Sequence, residues 1–237
     1  EQNIRDGSYI VFDTETTGNE VAEIIEAAWL QVKNPHTLDI VDEYCERFKP
    51  TQPISLGALS THHILDEELQ NCPPSRSFAL PQDVQYIIGH NIDYDWEVSG
   101  RPAVKRICTL AIARHLLPNL DSHSQSALVY YFDRKKARQR LQSAHSALAD
   151  VHNCRYNLIA LMDCLQEQGR TVPQTWEELW QLSEQARIPS IMPFGKHRGQ
   201  PIATLPRDYQ DWLLRQHGLD PYVKQAILQL RQSAGPL

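Results

Sequence analysis

No apolar run in this chain approaches the ~18 residues needed to cross a bilayer as a helix, so no membrane-spanning role is expected. Glu1-Gln2-Asn3 does not open a basic segment followed by an apolar one, so no secretory signal is expected either. Cysteine is sparse. Cys45, Cys72, Cys108, Cys154 and Cys164 are odd in number and form no Cys-x-x-Cys pair, which argues against a disulfide framework and a zinc site and for a reducing, cytoplasmic setting. Internal repeats and low-complexity tracts are missing. Positive charge is short too: the formal net charge is −6, at first sight wrong for a polyanionic partner.

Dividing that charge changes its meaning. Residues 1–169 carry 15 Lys and Arg against 23 Asp and Glu, whereas residues 170–237 carry 8 against 6. Within the acidic part, Arg134, Lys135, Lys136, Arg138 and Arg140 place five cations in seven residues, either a grip on phosphates or a solvated face. With 237 residues, 41% hydrophobic and 22% charged, the chain can hold one ordinary catalytic domain and a small appendage.

What the sequence has is a set of acids at the ends of apolar runs. Asp13 and Glu15 follow Tyr9-Ile10-Val11-Phe12; in an extended chain positions i and i+2 share a face, so the two carboxylates converge while Thr14 points away, and Gly18 allows a reversal. Such a pair is a metal site or a solvated strand end. His90-Asn91-Ile92-Asp93-Tyr94-Asp95 follows a second apolar segment and can open a helix with Asn91 as its N-cap. A long helix is expected after His145, capped by Ser143 or Ser146, with Asp150 in its first turns and an apolar stripe of Val151, Cys154, Leu158, Leu161, Met162 and Leu165.

Strands are expected near Tyr9–Phe12, Ile24–Val32 and Ile40–Phe48, joined at Gly18-Asn19 and Asn34-Pro35 into a meander, followed by helices alternating with short strands, a pattern of the α/β class. Gly169 ends the long helix. This gives a domain over 1–169 and a small module over 174–237, where Thr175-x-x-Glu178 is a capping box and Asp220-Pro221 opens the last helix. Phe194-Gly195-Lys196-His197-Arg198-Gly199 reads as a tight basic turn. Tyr209 and Trp212 are available for stacking or belong to a core.

Together, Asp13-x-Glu15-Thr16-Thr17-Gly18, His90-Asn91-x-x-Tyr94-Asp95 and His145-x-Ala147-x-x-Asp150 resemble the three motifs of the DEDDh exonuclease family, in the family's order. Ile54 to Ala58 with His62 and Ile64, and Ile107 to Arg114, are similar to its intervening segments; Cys108 stands where the family has an acid, and Trp96 to Gly100 is less apolar than usual. The tail resembles the Phe-Gly-Lys-x-Arg-Gly module of exonuclease X-like proteins. The resemblance implies a ribonuclease H-like mixed sheet covered by helices, with a small C-terminal α+β module. It also implies two Mg²⁺ or Mn²⁺ ions on Asp13, Glu15, Asp95 and Asp150, His145 as general base, and 3′-to-5′ release of nucleoside 5′-monophosphates. Oxygen ligands suit those ions, and two of them would neutralise four charges. DNA is the expected partner and RNA the rival. Thr14, Thr16 and His62 are implied as substrate contacts, with Lys196 and Arg198 holding phosphates. A binding adaptor without turnover is the alternative of another class, and the presence of all four carboxylates and His145 argues against it.

Overall fold

The computed structural model describes residues 9–235, so Glu1-Gln2-Asn3 lies outside them. Three strands come first: β1 (Tyr9–Thr16), β2 (Ile24–Lys33) and β3 (Asp39–Arg47). The chain reverses at Gly18 and Asn34, both with positive φ, a conformation cheap for glycine and tolerated by asparagine. The strands pair antiparallel, forming the expected meander. Two shorter strands, β4 (Tyr86–Gly89) and β5 (Lys105–Cys108), then add in parallel, giving the order β3-β2-β1-β4-β5.

Helices α1 (Leu56–His62), α2 (Ile92–Val98), α3 (Thr109–Leu116), α4 (Gln125–Phe132), α5 (Arg134–Arg140) and α6 (Ala147–Glu167) complete this part of the chain. Ser146 caps α6, its Oγ accepting from Ala149 N at 3.3 Å, and the whole predicted stripe from Val151 to Leu165 is buried. That stripe packs α6 on β1 and β2. Each such side chain contributes about 1.5–3 kcal/mol by leaving water, which fixes the helix start where Asp150 sits. Ile10, Phe12, Ala27, Ile87 and Ile92 form a core with Phe48. Gly89 lets α2 approach β1: a Cβ there would lie 2.6 Å from Ile92 Cδ1 and 2.9 Å from the Phe12 carbonyl.

The chain divides into two compact units, Glu1–Ser183 and Glu184–Leu237, and the division falls inside α7 (Trp176–Arg187) rather than in the 170–173 link. The reason lies in what the first turns of α7 touch. Trp176 stacks on Tyr9 with ring centroids 4.4 Å apart, Glu177 accepts from Tyr86 OH and Lys105 Nζ, and Ser183 Oγ accepts from Cys108 N at 2.9 Å. The second unit has its own core of Met192, Ile202, Leu205, Leu213, Val223, Ala226 and Ile227, built on α8 (Arg207–Leu214) and α9 (Pro221–Ser233). Asp220 caps α9, and a lone bridge between Ile191 and Pro201 closes the basic turn.

Candidate active site

Asp13 and Glu15 project from the same side of β1, as the two-residue period requires. Asp150, one turn into α6, meets them: one oxygen from each of the three carboxylates lies within 4.8 Å of the others. Thr14, on the opposite side, holds the fourth acid. Asp95 Oδ1 accepts from Thr14 N at 3.0 Å and from Thr14 Oγ1 at 2.7 Å, while Asp95 itself stands outside the triangle. Asn91 occupies the N-cap position of α2 as expected, but in the left-handed region and with no side-chain cap bond. His145, also left-handed at φ +69°, donates its backbone N–H to Asp150 Oδ1 at 3.1 Å and leaves its side chain exposed.

Electrostatically the cluster is overloaded with negative charge. Asp13 is held well above the usual carboxylate range, first by burial and then by the charges of Asp95, Asp150, Glu15 and Glu26. Burial, helped by Asp150, Glu26 and Asp95, pushes Glu15 up to about 9. Asp95 rises to about 7 through burial despite its two bonds from Thr14, and Asp150 to about 6 despite the His145 N–H. Asp13 Oδ2 is buried with no hydrogen-bond partner. A buried acceptor normally has one. A carboxylate with an unpartnered buried oxygen, grouped with two more carboxylates and offering only oxygen ligands, fits a hard divalent cation.

Glu26 escaped the sequence reading. It faces Glu15 across the β1–β2 ladder, beside a register irregularity between Glu15 and Thr16. Its Oε2 takes Arg47 Nε at 2.9 Å and its Oε1 takes Ala147 N at 2.8 Å, tying the start of α6 to the sheet. The available signal was an acid inside the apolar run Ile24-Ile25-Glu26-Ala27-Ala28.

Beside Glu15 lies a cavity of about 330 Å³ lined by Thr14, Thr16, Gly18, Ala58, His62 and Tyr94. The polar groups of its wall are engaged with one another. Thr16 Oγ1 pairs with Tyr94 OH at 2.7 Å; His62 Nε2 meets the Thr16 carbonyl at 3.1 Å, and its Nδ1 accepts from Ile64 N. Thr14, Thr16 and His62 therefore reach the site together, with His62 shaping the wall through Thr16. Lys196 and Arg198 lie in the second unit, where Lys196 Nζ stands 5.0 Å from the Tyr209 ring centroid and Tyr209 stacks on a half-exposed Trp212.

The chain is similar to known proteins. Exodeoxyribonuclease 10 of Escherichia coli strain K12 is 27% identical over 208 residues, covering 86% of this chain and 89% of its own. The structure of Exonuclease X in complex with 5′ overhanging duplex DNA superposes with a TM-score of 0.50 at 24% identity, over 72% of this chain and 99% of that one. Escherichia coli Exonuclease I in complex with a dT13 oligonucleotide gives 0.53 at 17% identity, over 68% of this chain and 42% of the other. These two likenesses concern the fold. Residues 181–221 match a family model described as a candidate quorum-sensing-regulated virulence factor. The RNase T exonuclease model takes in residues 10–158, from the strand that carries Asp13 and Glu15 through the helix that carries Asp150. Motifs, fold and carboxylate cluster agree on one assignment: the chain belongs to the RNase T exonuclease family, as a member of its DEDDh group.

Proposed function

We propose that this exonuclease removes nucleotides from the 3′ end of DNA, using two Mg²⁺ or Mn²⁺ ions held by Asp13, Glu15, Asp95 and Asp150. The observation that carries the reading is Asp13, a half-buried residue whose buried Oδ2 has no hydrogen-bond partner and whose carboxylate meets those of Glu15 and Asp150. Divalent ions, when bound, acidify the attacking water and stabilise charge on the attacking and leaving oxygens. The chain's own groups do the rest. Asp13, Glu15 and Asp150 would hold the ions, together with Asp95, which Thr14 braces through its N–H and hydroxyl. His145, exposed and tied through its backbone N–H to Asp150, takes the proton of the attacking water as general base. The water oxygen bonds to phosphorus, the P–O3′ bond breaks, the 3′ oxygen gains a proton and a nucleoside 5′-monophosphate departs.

The cavity beside Glu15 has a volume suited to one terminal nucleoside. DNA is favoured by the relative that spans nearly the whole chain and whose name specifies it. A cytoplasmic location fits five free thiols and, among the described residues, no helix long and apolar enough to cross a membrane. We take residues 174–237 as a module that contributes Lys196 and Arg198 to binding. Incubation with 5′-labelled single-stranded DNA, RNA of the same sequence and duplexes with recessed 3′ ends tests the proposal. DNA should shorten from its 3′ end with Mg²⁺ or Mn²⁺ and stay intact with chelator. Preferential loss of RNA moves the substrate assignment, and intact substrates throughout refute turnover.

A further inference from the structure

Apart from Arg140, the cation run before His145 has no structural use that the described residues reveal. Arg134, Lys135, Lys136, Arg138 and Arg140 make up most of the seven-residue α5, and all five are exposed. They are a third of the 15 Lys and Arg in residues 1–169, a stretch with 23 acids. A solvated helix face ordinarily interleaves signs. Here Arg134–Arg138 and Lys136–Arg140 are like-charge pairs at i,i+4, and three cations occupy the first turn, both arrangements that oppose helix formation. The only local acid is Asp133, whose side chain caps the helix. Among the described residues, Arg134, Lys135, Lys136 and Arg138 join no ion pair. This cost in helix stability accompanies a concentrated positive surface, which is complementary to a polyanion.

Position identifies which polyanion. Arg140 lies 4.0 Å over the ring of Tyr156, which anchors the end of α5 to α6, the helix that carries Asp150. Four residues separate Arg140 from His145, so five chain steps of at most about 18 Å in all join them, or about five stacked nucleotides at 3.4 Å each. Tyr130 and Tyr131, exposed at the end of α4, add aromatic faces next to the cations and could stack bases. Resting on the nuclease reading above, we infer that α5 and the end of α4 form a track for the backbone of the substrate strand, several nucleotides 5′ of the bond being cut.

Two substrates separate the track from the chemistry: a nitrophenyl ester of thymidine 5′-phosphate, too short to reach α5, and a 20-nucleotide DNA. In the full chain, Lys135→Gln/Lys136→Gln/Arg138→Gln should leave hydrolysis of the ester unchanged. For the 20-mer, KM should rise about tenfold or more at low salt. The slope of log affinity against log salt, measured in chelator, should flatten by about two, for three contacts at ~0.7 each on single strands. A variant whose KM and salt slope for the 20-mer match wild type overturns the inference. So does loss of polyglutamate binding with DNA binding intact, which would make α5 a site for acidic protein. Wild-type protein that cleaves neither substrate defeats the nuclease reading instead, while binding in chelator still reports on α5. Because the substitutions relieve like-charge repulsion, the variant should melt no lower than wild type.

Discussion

Burial sets the charge state of the acids before any ion arrives. Burial pushes Asp150 up to about 6, Asp95 to about 7 and Glu15 to about 9, above the ordinary range for carboxylates in an unfolded chain. Between those limits the folded protein holds more protons than the unfolded one, so metal-free stability falls as pH rises from about 4 toward 9. A divalent cation reverses this by replacing the protons. Melting temperature in chelator should therefore decline across that interval, and the increment produced by Mg²⁺ should grow with pH; a Mg²⁺ increment equal at pH 5 and pH 8.5 would contradict the assigned cluster. Glu26 supplies a second test. Glu26→Ala strips acceptors from the buried Ala147 N–H and from Arg47, costing about 1–3 kcal/mol. Glu26→Gln keeps a carbonyl for Ala147 and should recover much of that loss in a denaturant titration. The meeting of Asp13, Glu15 and Asp150 was legible because the first two follow an apolar strand run at i,i+2 and the third falls in the first turns of a helix with its own cap and stripe. Glu26 was not, since its role depends on a cross-strand partner and on an amide 121 residues away.

At the level of elements, the turn after β1 is the tightest constraint on the cavity. Gly18 has φ +73°, and a Cβ there would lie 2.7 Å from both Ala58 Cβ and Ser55 Oγ. Gly18→Ala should cost about 2 kcal/mol or more, from left-handed strain and from overpacking against α1. Displacing α1 also moves Ala58 and His62 in the cavity wall, so KM should rise beyond what the stability loss alone produces; unchanged KM in a folded variant would detach the cavity from substrate binding. The caps and stripe of α6 could be read from the sequence because cap chemistry and 3.6-residue periodicity are local. The place where the chain divides could not. The link at 170–173 looks like a boundary locally, but Trp176 stacks on Tyr9, and that pairing exists only after the sheet has formed.

The whole molecule is polarised in charge. As the structure divides it, the first unit carries 16 Lys and Arg against 25 Asp and Glu, the second 7 against 4. Clustered cations, more than net charge, then decide where a polyanion binds. Lys196→Ala/Arg198→Ala should weaken DNA binding and flatten its salt dependence by about 1.4, for two single-strand contacts, while sparing kcat at saturation. If the second unit only stabilises the fold, affinity and slope will match wild type. The opposition of Glu15 and Glu26 across one ladder carries a further consequence, for how such a sequence persists. Glu26 has Arg47 as its counter-ion, but Glu15 is buried among acids without one, which works against folding, so a chain selected for foldability alone would favour an amide there. Asp13→Asn, which spares the fold the cost of protonating a buried acid, should melt higher than wild type in chelator while losing turnover. The same crowding that the catalytic chemistry uses is therefore a standing cost to the metal-free fold.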